Sequence, residues 1–377
     1  MVGRALAYTA AHEASAAGAG KRYKSPGLAR GRDATSPDPL AHLDAARLGA
    51  SERAGSFRGR LPGPPRVSTN GVLRRCAHQL GLLCFIRRRM NVSIGLPATI
   101  PGATGPLLLN WAERVDASSF VSLGITDRVV YSNYEALITL AAAAAVTSRV
   151  RLMSNVLLAP LRETTMLAKQ VATIDALSGG RLTLGLGIGG REDDFQAVSA
   201  PFYKRGRKIE RQIETLKSVW SGRPLSNIVG PVGPAPARLG GPPILLGGYS
   251  PIAIQRVGRW ADGFISAGVP DPKKARQMFD IVENSWRSEG REGKPRLVAS
   301  LHYALGPKAA ERGADYIRDY YSFFGEAAEN LAQAILSSPQ SLNELIMRFE
   351  DIGTDEVICL PTVAELEQVD RLSEVIS

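Results

Sequence analysis

The chain has 377 residues, 44% of them hydrophobic, enough for one large domain or two ordinary ones with a sizeable core. Its formal charge of +10 would ordinarily suggest nucleic acid or an anionic membrane as partner, yet residues 1–89 carry 16 Lys and Arg against five Asp and Glu, and residues 90–377 carry 30 against 31. The basicity belongs to the first quarter, so neither partner is expected for the remainder; Cys76, Cys84 and Cys359 form no disulfide framework and show no metal-ligand spacing with histidine, which suits a reducing cytoplasm.

Residues 1–89 are rich in Ala, Gly, Arg, Ser and Pro and lack helical or strand periodicity. Such a segment buries too little apolar surface to offset its ordering entropy, so disorder is expected, with at most a short helix near Val72–Ile86. The apolar run Leu80–Ile86 is far shorter than the roughly 20 residues of a membrane span and leads into Arg87-Arg88-Arg89, not a cleavage site. A basic nucleic-acid arm and an Arg-rich transit peptide are two readings of this extension. The third is that Met90 is the start and the preceding residues are translated upstream sequence, not part of the native protein.

From Asn91, short apolar runs alternate with longer amphipathic patterns, the signature of repeated βα units. Eight strands are expected, at Val92–Leu96, Asp127–Val130, Arg151–Leu158, Leu182–Ile188, Pro243–Leu246, Gly263–Ala267, Leu297–Leu305 and Glu356–Leu360. Helices are expected at Leu107–Phe120, Tyr134–Thr147, Thr164–Leu177, Arg205–Trp220, Pro251–Trp260, Pro272–Ser288, Lys308–Ser337, Ser341–Glu350 and Val363–Val375. Periodicity alone leaves a doubly wound sheet open, but the count of eight favours an α/β fold closed as a (β/α)8 TIM barrel over residues 90–377. Gly230–Pro243 interrupts the fourth crossover and is expected to be an irregular loop over the barrel mouth.

The fourth strand pattern ends in Gly185-Leu186-Gly187-Ile188-Gly189-Gly190, followed by Arg191-Glu192-Asp193-Asp194-Phe195. Closely spaced glycines let backbone N–H groups approach a planar or anionic ligand, although the spacing is not the G-x-G-x-x-G of a dinucleotide fold. A plain strand-end turn followed by a solvated charged loop is the alternative. Gly247-Gly248-Tyr249-Ser250-Pro251 closes the fifth strand pattern and opens a helix, which makes either a phosphate cradle or an ordinary N-cap.

Leu177-Ser178-Gly179-Gly180-Arg181-Leu182 leading into the Gly-Gly-Arg-Glu-Asp-Asp-Phe run, then Arg205-Gly206-Arg207, Gly247-Gly248 and Ala261-Asp262-Gly263-Phe264, closely resembles the bacterial luciferase-like monooxygenase family over residues 91–377. The resemblance implies a (β/α)8 barrel with FMN or a deazaflavin coenzyme across the C-terminal ends of its strands. Asn155-Val156 resembles the family's position for a non-proline cis peptide against the ring. Gly187, Gly189, Gly190 and Arg191 would flank the ring or its ribityl chain, Gly247, Gly248, Tyr249 and Ser250 would surround the phosphate, and Glu192 and Asp193 would face the mouth. Arg205 would pair with Glu192 or Asp193, or form a helix-surface ion pair.

One departure bears on chemistry: many members place a histidine after the second strand, where this chain reads Arg128-Val129-Val130-Tyr131-Ser132-Asn133. Tyr131 can hydrogen-bond a substrate but cannot replace a base of pKa about 6.5. His302, in the seventh strand pattern, is the other candidate, pointing either at the ring or into the core; His12, His42 and His78 fall in the extension. The leading expectation is a cytoplasmic monooxygenase that uses reduced FMN from a separate reductase, oxygen and a small organic substrate, with a homodimer permitted by the resemblance. The alternatives are a deazaflavin-dependent dehydrogenase or reductase that needs no oxygen, with Arg162, Arg191 and Lys204 near the coenzyme's acidic tail, and a barrel that binds flavin without turnover.

Overall fold

Short parallel strands, each paired to the next around a ring, organise the second of two units into which the chain divides, Met1–Arg87 and Arg88–Ser377. The computed structural model describes residues 89–266, 268 and 270–377. The expectations for residues 1–88 and for Ala267 therefore lie outside the described residues.

The strands are β1 (Asn91–Gly95), β2 (Ser122–Ile125), β3 (Arg151–Ser154), β4 (Leu157–Leu158), β5 (Leu182–Gly187), β6 (Ile244–Gly247), β7 (Gly263–Ser266), β8 (Arg296–Tyr303) and β9 (Glu356–Pro361). Their order is β3-β2-β1-β9-β8-β7-β6-β5-β4, and β3 also pairs with β5. Because β3 and β4 both lie on β5 and only Asn155-Val156 separates them, they form one interrupted stave, and eight parallel staves close into a TIM barrel.

Helices wrap the outside: α1 (Gly105–Asp116), α2 (Ala136–Val146), α3 (Thr164–Leu177), α4 (Glu192–Ala197), α5 (Arg205–Trp220), α6 (Pro251–Trp260), α7 (Pro272–Ser288), α8 (Ala309–Tyr320), α9 (Glu326–Gln333), α10 (Pro339–Asp351) and α11 (Glu367–Ile376). Where a cap residue precedes proline, at Ser250-Pro251, Asp271-Pro272 and Ser338-Pro339, the side-chain oxygen accepts an orphan N–H of the first turn, and proline gives up a donor that had no partner.

Strand alternation divides the core. Met153, Leu245, Ile265, Val298 and Ile358 point inward and fill the barrel with Val156 and Leu360. Neighbours such as Leu152, Leu246, Phe264, Leu297 and Val357 point outward beneath the helices. By the same alternation Asn155, Gly187, Gly247 and His302 face the inside at the C-terminal end of the barrel.

Three expectations are corrected. The second strand is Ser122–Ile125, not Asp127–Val130: Val129 and Val130 have high strand propensity but lie 36% and 41% exposed in the loop that follows. The long helix expected over Lys308–Ser337 breaks after Tyr320 into a 3-10 turn, Ser322–Phe324, and restarts beyond Gly325, whose φ of 57° suits glycine. Gly230–Pro243 is irregular, yet it does not cover the mouth. Arg238 N donates to the Asp175 carboxylate at 3.2 Å and its side chain packs by Gly180, which places this loop at the N-terminal end of β5.

Candidate functional site

Small residues open the C-terminal mouth. A Cβ on Gly187 would lie 2.6 Å from Val156 Cγ2, and one on Gly247 3.1 Å from Val156 Cγ1, so Val156 occupies space that the two glycines, on β5 and β6, leave free. The peptide bond between Asn155 and Val156 is cis. Asn155 is 4% exposed, and neither its amide nitrogen nor its amide oxygen has a hydrogen-bond partner. A buried amide normally finds partners within the fold, so one left bare on the inner wall is free to meet a bound group.

Around this opening the loops are held by ionic and aromatic contacts. Asp194, at 1% exposure, accepts hydrogen bonds from Val129 N at 3.2 Å and Val130 N at 2.7 Å, and lies 3.3 Å from the buried Arg128 guanidinium. Arg128 also sits over the rings of Tyr131, Tyr320 and Phe323, an arrangement in which ring faces solvate a desolvated cation. Asp127 and Glu135 both bind Arg162. Sequence reading passed over Arg128 and Asp194: the Arg-Glu-Asp-Asp run looks like a solvated loop, and only its third acid is buried.

Tyr131 donates its hydroxyl to Asp319 at 2.5 Å and packs edge-on against Tyr320. Burial, reinforced by the Asp319 carboxylate, pushes its pKa well above the ordinary phenol value, which rules it out as a base near neutrality. Glu192 is exposed at the start of α4. Asp193 pairs with Arg191, whose guanidinium lies 4.7 Å from the Phe323 ring centroid. Among the described residues Arg205 pairs with neither Glu192 nor Asp193, nor with any other acid: it donates to the carbonyls of Gly189 and Phe202, each at 3.0 Å, and so braces the glycine turn. With Arg162 and Arg191 committed to carboxylates, two of the three cations expected near an acidic tail are already neutralised.

Gly190 is open, with nothing within 4 Å of a built Cβ, whereas Gly189 has a φ of 75° and packs close to Phe195. At the other corner Ser250 caps α6 by accepting from Ala253 N at 3.3 Å, Gly248 packs against Ala253, and Tyr249 is 60% exposed. The ordinary N-cap reading of this motif is thus present, and it also leaves the positive end of the helix dipole at the mouth.

His302 faces the mouth from the end of β8, its Nε2 3.5 Å from the Tyr321 hydroxyl. Desolvation lowers its pKa to about 4, so at neutral pH the ring is an uncharged hydrogen-bond partner. Because the folded value lies below the unfolded one near 6.5, the unfolded chain binds this proton more readily. Stability carried by the neutral ring is complete above about pH 6.5 and is lost as pH falls toward 4. His302→Gln is expected to flatten this slope, removing about 1–2 kcal/mol of the change between pH 7 and 5; urea midpoints at both pH values would check it, and identical slopes would reject it.

The luciferase-like monooxygenase family model matches residues 90–355. The chain belongs to this family. Its members are oxidoreductases. An uncharacterised protein of Mycobacterium tuberculosis is 28% identical over 214 residues, which covers 48% of this chain and 71% of that protein. An F420-dependent secondary alcohol dehydrogenase shares the fold with a TM-score of 0.63 at 14% identity, over 76% of this chain and 98% of that one. The oxygenating constituent of 3,6-diketocamphane monooxygenase from Pseudomonas putida, in complex with FMN, matches with a TM-score of 0.59 at 16% identity, over 72% and 91%. Among the described residues no helix is long and apolar enough to cross a membrane.

Proposed function

We propose that this luciferase-like oxidoreductase is a monooxygenase that binds reduced FMN in the barrel mouth and oxidises a small organic substrate with oxygen. The observation that carries the reading is Asn155, an inward-facing, buried amide with both polar atoms unsatisfied beside the glycine-bounded Val156. When bound, FMN would supply the electrons and the oxygen-activating ring chemistry. Asn155 would hydrogen-bond the ring's polar edge, and Val156, Gly187 and Gly247 would lie along its face. Gly189, Gly190, Arg191 and Asp193 would border the ring or ribityl chain, and Gly248, Tyr249, Ser250 and the N-terminus of α6 would receive the phosphate.

His302 would offer a neutral nitrogen to substrate, Tyr131 would position the loop through Asp319, and Glu192 would stand at the rim. Tyr321, Phe323 and Phe324 form a contiguous aromatic wall that excludes water from this side. The chain carries no second nucleotide domain in its described part, so a separate reductase is the proposed source of reduced flavin. FMN is favoured over the F420-type deazaflavin because Arg162 and Arg191 already hold carboxylates and have little charge left for an acidic tail.

Asn155→Leu tests the assignment. Exchanging an unpartnered amide for an apolar side chain of similar size should leave thermal stability unchanged or higher, while FMN affinity falls about tenfold through the lost hydrogen bonds. Fluorescence titration of the full chain with FMN, reduced FMN and F420, before and after the change, would read it. Undiminished FMN binding in the variant would sink the site, and a preference for F420 would move the chain to deazaflavin-dependent hydride transfer.

A further inference from the structure

The far end of the barrel holds a cavity of about 690 Å3, lined by the N-terminal ends of the staves, including Asn91, Arg151, Arg296 and Asp355. It contributes nothing to the mouth, which lies at the opposite strand ends. Five cations and three carboxylates line it, and the pairing of those charges decides what it can hold.

Among the described residues two of the carboxylates, Asp262 and Glu283, have ion pairs and Asp355 has none. Asp355 accepts from Leu297 N at 2.8 Å, Asp262 accepts from Ile244 N at 2.9 Å and lies 3.5 Å from Arg291, and Glu283 binds Arg276. Two of the cations are engaged as well: Arg276 holds Asp280 and Glu283, and Arg296 holds the fully buried Glu356. Arg151, Lys294 and Arg89 line the same space without an ion pair among the described residues, Arg89 making only a 3.4 Å contact to the Ile376 carbonyl. Beside them Thr354 is 5% exposed, and its Oγ1 is buried without a partner.

We propose that this cavity binds a phosphate-bearing small molecule. The three unpaired cations outnumber the one lining carboxylate without an ion pair, Asp355, so the space carries a net positive charge, and a group carrying close to two negative charges at neutral pH relieves it where a monoanion relieves less. Guanidinium forks, an ammonium and a hydroxyl donor suit the several acceptor oxygens of a phosphate. The volume lies in the range of small-molecule sites and exceeds what free phosphate fills, so an organic remainder has room.

The test uses the full chain at matched ionic strength, titrated calorimetrically with sodium phosphate, ribose 5-phosphate and sodium chloride. Arg151 and Lys294 are exposed, so the double variant Arg151→Gln/Lys294→Gln should fold normally, and unchanged FMN binding would confirm an intact mouth. The expected result is phosphate or phosphoester binding that weakens about tenfold or more in the double variant. Thr354→Val, which keeps the shape of the side chain and removes only the hydroxyl, should weaken binding by a smaller factor. Tighter binding of ribose 5-phosphate identifies an ester as ligand, and equal binding identifies free phosphate. The same affinity in wild type and double variant, or heat from chloride equal to that from phosphate, overturns the proposal.

Discussion

Replacing Asp194 by Ala is expected to lower stability by about 3–5 kcal/mol, among the largest losses available from one side chain outside the apolar core. The carboxylate is buried, carries the counter-charge of Arg128 and accepts the N–H groups of Val129 and Val130. Its removal strands a cation whose side chain is 5% exposed, with no other acid within ion-pair distance among the described residues. It also leaves two backbone donors open. Asp194→Asn separates the terms, because it keeps an acceptor for the amides and loses the charge, so its cost should be clearly smaller. Denaturant midpoints of both variants would measure this, and equal losses would show that the ion pair contributes nothing beyond hydrogen bonding. The β2–α2 loop borders the mouth, so Asp194→Ala should also weaken FMN binding in the proposed site.

Gly187→Ala should reduce FMN affinity at least tenfold at a stability cost of about 1–3 kcal/mol. The new methyl would sit 2.6 Å from Val156 Cγ2, and Val156, held from the other side by the stave that carries Gly247, can yield only toward the opening. Trimming the obstacle should compensate: Gly187→Ala/Val156→Ala is expected to regain most of the affinity, a coupling that a double-mutant cycle reads directly. Strictly additive losses would mean that the two residues do not compete for the same volume, and the proposed seat of the ring would need to move. The two predictions differ in kind, since Asp194 acts through charge and backbone satisfaction and Gly187 through volume alone.

Local chemistry explains which parts of the fold could be read in advance. The helices Thr164–Leu177, Arg205–Trp220, Pro251–Trp260 and Pro272–Ser288 match expectation at both ends. Two of them begin at a capping residue followed by proline, and all four carry an apolar stripe. The second strand was misplaced because Val129-Val130 has the higher strand propensity, whereas the true strand, Ser122–Ile125, contains a serine and a glycine. Its inward positions must stay small, so burial inside a closed barrel overrides propensity there. Gly325 gave the local sign that the long seventh helical pattern, Lys308–Ser337, would break.

By itself the sequence determined the alternation of staves and helices, the count that closes the barrel, and the glycines at the ends of the fourth and fifth strand patterns. These follow from period, propensity and backbone freedom, which are properties of neighbouring residues. Tertiary structure alone decided which charges meet: Arg128 with Asp194, Tyr131 with an Asp319 that lies 188 residues away, Arg205 with carbonyls in place of acids, and three cations at the barrel floor without an ion pair among the described residues. The reason is geometric. Ring closure brings loops from every stave to one of two ends, and no local pattern records which side chains arrive there together.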